Sequence, residues 1–293
     1  KVNAHLHTPY SFSAFNDVDD ALDRAVAEEV KVVGVNDFYT TEGYEEWAEG
    51  CKKRNLVPLF NIEFISLNEE DQKAGLRVND PGNPGRTYLS GKGLSYPFKL
   101  EEPFASQLAG VRNEANLQVE AMCVKLNEIL KEKNAGFTLD IDWIKDNLTK
   151  GSIRERHLAK ALRLKVYEHC ANDETCIEKL FQELFGGKEL KSKIEDFAGV
   201  ENEIRGNLLK AGGAAFVPET AKAFLPMQTV CDIIIAAGGI PTYPFLADDA
   251  AGKYTDFEGN LEKVAEQLTQ AAPSSCGAGA DAPKTGSSCC SSE

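Results

Sequence analysis

Residues 3 to 15, NAHLHTPYSFSAF, set two histidines one residue apart in a chain that holds only four. In a β-strand residues i and i+2 point to the same side, so His5 and His7 can aim two imidazoles at one point. A pair of this kind can equally well pack or hydrogen-bond near a sheet end. Two acids extend it: Asp37 ends the apolar run KVVGVND, and Glu63 sits inside VPLFNIEFISL. Two neutral imidazoles and a carboxylate are the ligand set of a zinc ion that keeps one position open for water. A metal there would lower the pKa of its water to around 7. Taken singly, Glu63 reads as a salt-bridge or capping acid and Asp37 as a turn cap. Polar residues ending three successive apolar strands are harder to explain that way, because buried charges need partners.

The elements that must position these residues follow from hydrophobic periodicity. VNAHLH reads as a strand and DVDDALDRAVAEEV as a helix, with Val18, Leu22 and Ala25 or Val26 on one face. KVVGVND is a nearly continuous apolar run, as in a strand buried on both faces. A helix through EGYEEWAEGCKKRN and a third strand, VPLFNIEFISL, follow. This β-α-β-α-β order is the grammar of a barrel or a doubly wound sheet. In an α/β barrel chemistry collects at the C-terminal ends of strands, where His5, His7 and Asp37 fall.

Residues 68–100, rich in Gly, Pro and Asn, read as a long loop in which Arg86 and Lys92 are solvated charges within possible reach of an anion. Residues 101–212 are nearly all helical in pattern. Ser152-Ile153-Arg154-Glu155 fits a capping box opening a helix through SIRERHLAKALRLKVYEHC. The α/β pattern resumes with PMQTVCDIIIAAGG as helix and IPTYPFL as strand, with a last helix expected within 258–270. The Ser/Cys-rich residues 271–293 read as a disordered tail. The reading thus divides the chain into 1–100, a helical insertion 101–212, a return to the α/β unit at 213–270, and the tail.

Composition sets limits. A net charge of −14 and a pI near 4.9 argue against general nucleic-acid binding, yet allow a small phosphorylated substrate in a locally basic site. No apolar run is long enough to span a membrane. The start, KVNAHLHT, reads as a strand and not as an apolar leader. Eight cysteines show no zinc-ribbon spacing. Cys170 and Cys176 could pair, but reduced thiols in the cytoplasm are the expectation.

The stretches HLHTPYS, VNDFYT and NIEF, in that order and spacing, resemble the first three motifs of the PHP (polymerase and histidinol phosphatase) family. RERHLAKAL, AGGAAFVPE and IIAAGGIPTYPF continue the likeness to its phosphoesterases with a helical insertion. The resemblance implies a distorted (β/α)7 barrel, up to three metal ions (often zinc, manganese or iron), and hydrolysis of phosphate esters. It makes His5, His7 and Glu63 the ligands of the first metal, with Glu63 also bridging to the second. It turns the Arg-x-His of RERH toward the active site, so that Arg154 or Arg156 grips a phosphate and His157 assists.

Departures from the pattern are as informative. Phe38 stands where the family has His, Phe12 follows Ser11 where it has Asp, and Tyr243-Pro244 replaces His-Pro. The His expected after the third-strand Glu is absent from ISLNEEDQKAG, and the final Asp-x-His has no counterpart. The expected site is therefore a single divalent ion (Zn, Mn or Fe) on His5, His7 and Glu63, with Asp37 and His157 as catalytic helpers. Arg154 and Arg156 are the substrate-binding candidates, and Asp248 or Asp249 could stand in as a fourth ligand. The helix-end His169 is given no role. The function implied is a phosphoesterase acting on a small phosphorylated molecule, the alternative being an inactive PHP-like binding protein. The barrel is expected to be incomplete beside IPTYPFL, an edge that a second copy of the chain could cover.

Overall fold

The computed structural model describes residues 1–13, 15–245 and the single positions 256, 258 and 262. Strand β1 (Val2–Leu6), helix α1 (Val18–Ala27), β2 (Val32–Phe38), α2 (Tyr44–Lys53) and β3 (Val57–Leu67) follow one another in the expected alternation. The three strands lie side by side and parallel. All of β2 beyond Val32 is buried, which is why its sequence is apolar without alternation. Helix α1 opens at Asp17, whose side chain accepts the Asp20 N–H, and it buries Val18, Ala21, Leu22 and Ala25. Val26, a candidate for that face, is exposed instead. Helix α2 buries Tyr44, Trp47 and Cys51 against the same core.

The stretch read as a long loop contains two elements, α3 (Glu69–Ala74) and β4 (Arg86–Lys92). Gly, Pro and Asn on the N-terminal side of β4, together with its own polar residues, hide the strand. Thr87 and Ser90 are buried through partners distant in sequence: the Ser66 hydroxyl donates to the Thr87 carbonyl, and the Asn36 side-chain amide donates to the Ser90 hydroxyl. Strand β4 runs antiparallel to β3, pairing Ser90 with Glu63. Among the described residues of IPTYPFL, Ile240–Thr242 form strand β5, which pairs antiparallel with β4. Where an incomplete, distorted (β/α)7 barrel is expected, the described residues form a five-stranded sheet in the order β1-β2-β3-β4-β5, with β4 antiparallel to both neighbours. The stretch after IPTYPFL on which the expected open edge depends, most of the helix expected within 258–270, the tail, Asp248 and Asp249 lie outside the described residues.

Between β4 and β5 come α4 (Phe104–Glu132), α5 (Ile141–Leu148), α6 (Glu155–His169), α7 (Glu174–Leu184), α8 (Phe197–Ile204) with a π-helical turn at Arg205–Leu209, and α9 (Met227–Ala236). They build a second core around Leu126, Leu130, Leu158, Leu162, Phe181 and Ile204. At ~1.5 Å per residue, the 29-residue α4 is ~44 Å long and serves both cores. Leu108 and Val111 pack with the sheet, and the positions from Val119 onward pack with the other helices. Among the described residues no helix is long and apolar enough to cross a membrane.

Two local expectations are corrected here. Helix α6 opens at Arg154, not Ser152: Arg154 is extended, and its N–H donates to Nδ1 of His157 three residues on, at 3.0 Å. Glu155 is unable to close a box on Ser152 because its carboxylate is held by Arg205, at 2.7 and 3.1 Å. Cys170 and Cys176 form a disulfide where free thiols are expected. The end of α6 and the first turn of α7 bring their Cα atoms to 5.6 Å, within the range a disulfide spans.

Candidate metal centre

His5 and His7 lie at the C-terminal end of β1, where the pairing with β2 is irregular between Asn3 and Leu6. Glu63 comes from β3, in register with Phe38 of β2 and Ser90 of β4. The topology thus carries the two histidines and the acid to one edge of the sheet. Nε2 of His5 and Nε2 of His7 are 3.3 Å apart, and each is 3.2 Å from Oε2 of Glu63. A tetrahedral zinc bonded to nitrogen and oxygen at ~2.0–2.2 Å holds its donors ~3.3–3.5 Å apart. The three atoms therefore form one face of such a tetrahedron to within about 0.2 Å, and the residues fit a divalent ion.

Burial of Glu63 would by itself raise its pKa. Hydrogen bonding and charge at the histidine pair outweigh that and hold the carboxyl below its ordinary value. The His7 ring stacks on Phe12 and Phe38, with centroids 4.6 and 5.3 Å away. Phe12 and Phe38, two of the departures from the family pattern, thus form the wall beside the cluster.

Beneath the cluster lies a polar network. Asn36, fully buried in β2, has its Nδ2 3.0 Å from His5 Nε2 and 3.3 Å from both Glu63 Oε2 and Ser90 Oγ. Lys92 donates to Oδ1 of Asn36 at 2.8 Å and to the Ala4 carbonyl at 3.2 Å. Burial pushes its pKa down, against the pull of the Glu63 charge. Asn61 donates to that same carbonyl at 3.0 Å. Gly34 leaves room for this crossing, since a Cβ there would meet Asn61 Nδ2 at 2.5 Å and the Ala4 oxygen at 2.8 Å.

The cluster opens into a cleft of about 350 Å³ lined by Phe12, Phe38, Ile65, Tyr88, Arg154, Glu155, Arg156 and Arg205. The Arg154 guanidinium lies over Phe38 and Tyr39 at 5.3 and 5.6 Å, and that of Arg156 over Phe12 at 5.3 Å. Glu155 is paired with Arg205, and no ion pair engages Arg154 or Arg156 among the described residues. A larger cleft of about 790 Å³ by Asn127, Lys131 and Phe137 brings together no comparable donor set among those residues.

The other candidates lie apart from the three ligand atoms. Asp37 is buried and accepts from the Thr8 N–H at 2.7 Å, from the Thr8 hydroxyl, and from the Ser11 hydroxyl at 2.6 Å. Burial raises its pKa against those bonds. His157 lines an adjoining cleft with Lys160, Arg163 and Asn202, and burial lowers its pKa to about 4. Lys92 is part of the strand network described above, and Arg86 is paired with Glu219 and lies over Phe224. His169 is exposed at the end of α6 against Phe137. Sequence reasoning missed Asn36. Its signal was a polar residue directly before Asp37 in an otherwise apolar strand, which in a buried position must be satisfied.

No family model matches the chain, and no curated protein matches it in sequence. Solved structures do resemble its fold. An amidohydrolase from Chromobacterium violaceum, with bound sulfate and no metal, superposes with a TM-score of 0.58 at 16% identity, over 92% of this chain and 74% of that one. A proposed metal-dependent phosphoesterase from Bifidobacterium adolescentis gives 0.54 at 14% identity, over 94% and 79%. At such identities the likeness shows a shared fold.

Proposed function

We propose that this chain is a metal-dependent hydrolase of PHP type that cleaves a phosphate ester on a small molecule with one divalent ion, Zn, Mn or Fe. The observation that carries the reading is the convergence of His5 Nε2, His7 Nε2 and Glu63 Oε2 at tetrahedral spacing, facing a cleft with two guanidinium groups that no described residue engages in an ion pair. The descriptions of the two fold neighbours, an amidohydrolase and a proposed metal-dependent phosphoesterase, support the coarser part of the reading, a metal-dependent hydrolase.

His5 and His7 would hold the ion through neutral Nε2 atoms, and Glu63 would supply the compensating charge. When bound, the ion supplies a water of lowered pKa as nucleophile. Arg154 and Arg156, steadied on Phe38 and Phe12, bind the phosphoryl oxygens, a role for which the planar fork of Arg is suited. The Glu155–Arg205 pair keeps the intervening carboxylate off the substrate. Phe12, Phe38 and Tyr88 exclude bulk water from one wall. Asp37 acts as a positioning residue by fixing the Thr8–Ser11 turn that follows His7, and His157 does so by accepting the Arg154 N–H.

One observation favours the alternative, a protein that binds without turnover. Among the described residues the carboxylates lining the cleft, Glu63 and Glu155, are both committed, and none of those residues offers a free carboxylate there to act as base. Hydrolysis of p-nitrophenyl phosphate by protein loaded with Zn²⁺, Mn²⁺ or Fe²⁺ decides between them. The enzyme reading expects turnover that disappears in the His5→Ala/His7→Ala double variant. Metal binding and inorganic phosphate binding without turnover would establish the alternative.

A further inference from the structure

The orientation of one side-chain amide bears on the chemistry of the metal centre. An Asn amide can be placed two ways round, and its hydrogen-bond partners decide which is right. Lys92 Nζ lies 2.8 Å from the outer amide atom of Asn36. An ammonium group only donates, so that atom is the oxygen and the NH2 faces His5, Glu63 and Ser90. Lys92 is itself held in place by the Ala4 carbonyl at 3.2 Å. Asn36 is fully buried, which makes an unpaired orientation of its amide costly.

The consequence falls on His5. Its Nε2 is the nearest of the atoms facing the Asn36 NH2, at 3.0 Å against 3.3 Å for Glu63 and Ser90. Facing a donor, Nε2 presents its lone pair, and the ring proton sits on Nδ1. The His5 side chain is 44% exposed, so its Nδ1–H can be hydrated. His5 Nε2 cannot accept from Asn36 and donate to Glu63 together; the proton shared with Glu63 then comes from His7. A ligand histidine must be neutral with its lone pair on the ligating nitrogen.

We infer that Lys92 and Asn36 are a positioning pair that fixes the Nδ1–H tautomer of His5 and so prepares the cluster to take an ion. The inference rests on the metal-holding reading of His5, His7 and Glu63, but its first test needs no metal. In metal-free protein with ¹⁵N-labelled histidine, long-range ¹H–¹⁵N correlation spectra report which ring nitrogen carries the proton, with the His5 signals assigned by their loss in His5→Gln. His5 is expected in the Nδ1–H form in the wild type and in Lys92→Arg, and as a mixture in Lys92→Met. Cobalt(II) titrated as the probe ion should bind about 10–100-fold more weakly to Lys92→Met and within threefold of wild type to Lys92→Arg.

Wild-type His5 carrying its proton on Nε2 would overturn the inference whether or not any variant folds. So would Lys92→Met that keeps both the tautomer and the cobalt affinity. A wild type with the expected tautomer that takes up no cobalt would refute the metal reading and leave the Lys92–Asn36 assignment of the tautomer standing.

Discussion

Acidification should weaken this protein through His157, and the effect can be worked out. In the native state burial lowers the His157 pKa from 6.5 to about 4; in the unfolded chain it titrates near 6.5. A histidine whose pKa is depressed by folding contributes stability that is present above pH 6.5 and lost as pH falls from there toward 4. Each pH unit between those values removes up to about 1.4 kcal/mol. Going from pH 7 to 4.5 should therefore remove roughly 2 kcal/mol, a figure already discounted for the partial exposure of the ring. The structural cause is that Nδ1 accepts the Arg154 N–H at the start of α6, and protonation abolishes that acceptor beside Arg154, Arg156 and Lys160. His157→Gln is the comparator, because Gln at the same position can accept the same bond and does not titrate. Urea unfolding of both proteins at pH 7 and 4.5 measures the difference. Wild type should lose roughly 2 kcal/mol more than His157→Gln. Equal losses would refute the reasoning.

Asp37→Asn leaves at least one of three buried donors from Thr8 and Ser11 poorly matched, so urea unfolding at pH 7 should show a loss of about 2–4 kcal/mol. Leu22→Ala removes a fully buried side chain beneath α1 and should cost about 2–5 kcal/mol in the same assay. Arg154→Ala and Arg156→Ala should each weaken inorganic phosphate binding by about tenfold or more, measured by calorimetry, with metal content by elemental analysis unchanged.

The first three strands and two helices were legible because each buries a face whose period sets its type: continuous apolar residues in β2, and a 3.6-residue stripe in α1 with Asp17 in position to cap it. Strand β4 was not. Its pairing with β3 fixes it through non-local hydrogen bonds, while Thr87, Ser90, Gly91 and Lys92 resemble a polar turn when read locally. The start of α6 was misplaced for a related reason, since Arg205, fifty residues on, occupies Glu155. His5, His7 and Glu63 could be nominated from residue type and strand position alone. That Asp37 and His157 would be engaged elsewhere depended on Thr8, Ser11 and the Arg154 backbone, partners that spacing does not rank. Asn36 went unnoticed, and Lys92 was read as a solvated loop charge, because a single polar residue in a strand and a lysine beside glycines have many commoner explanations.

Purified wild-type protein and the His5→Ala/His7→Ala double variant, both dialysed against a limiting mixture of Zn²⁺, Mn²⁺ and Fe²⁺ under anaerobic conditions, should be analysed for metal per chain. The structure predicts about one equivalent in the wild type and essentially none in the double variant, with both proteins folded by circular dichroism. Equal metal in the two proteins, or none in either, would contradict it.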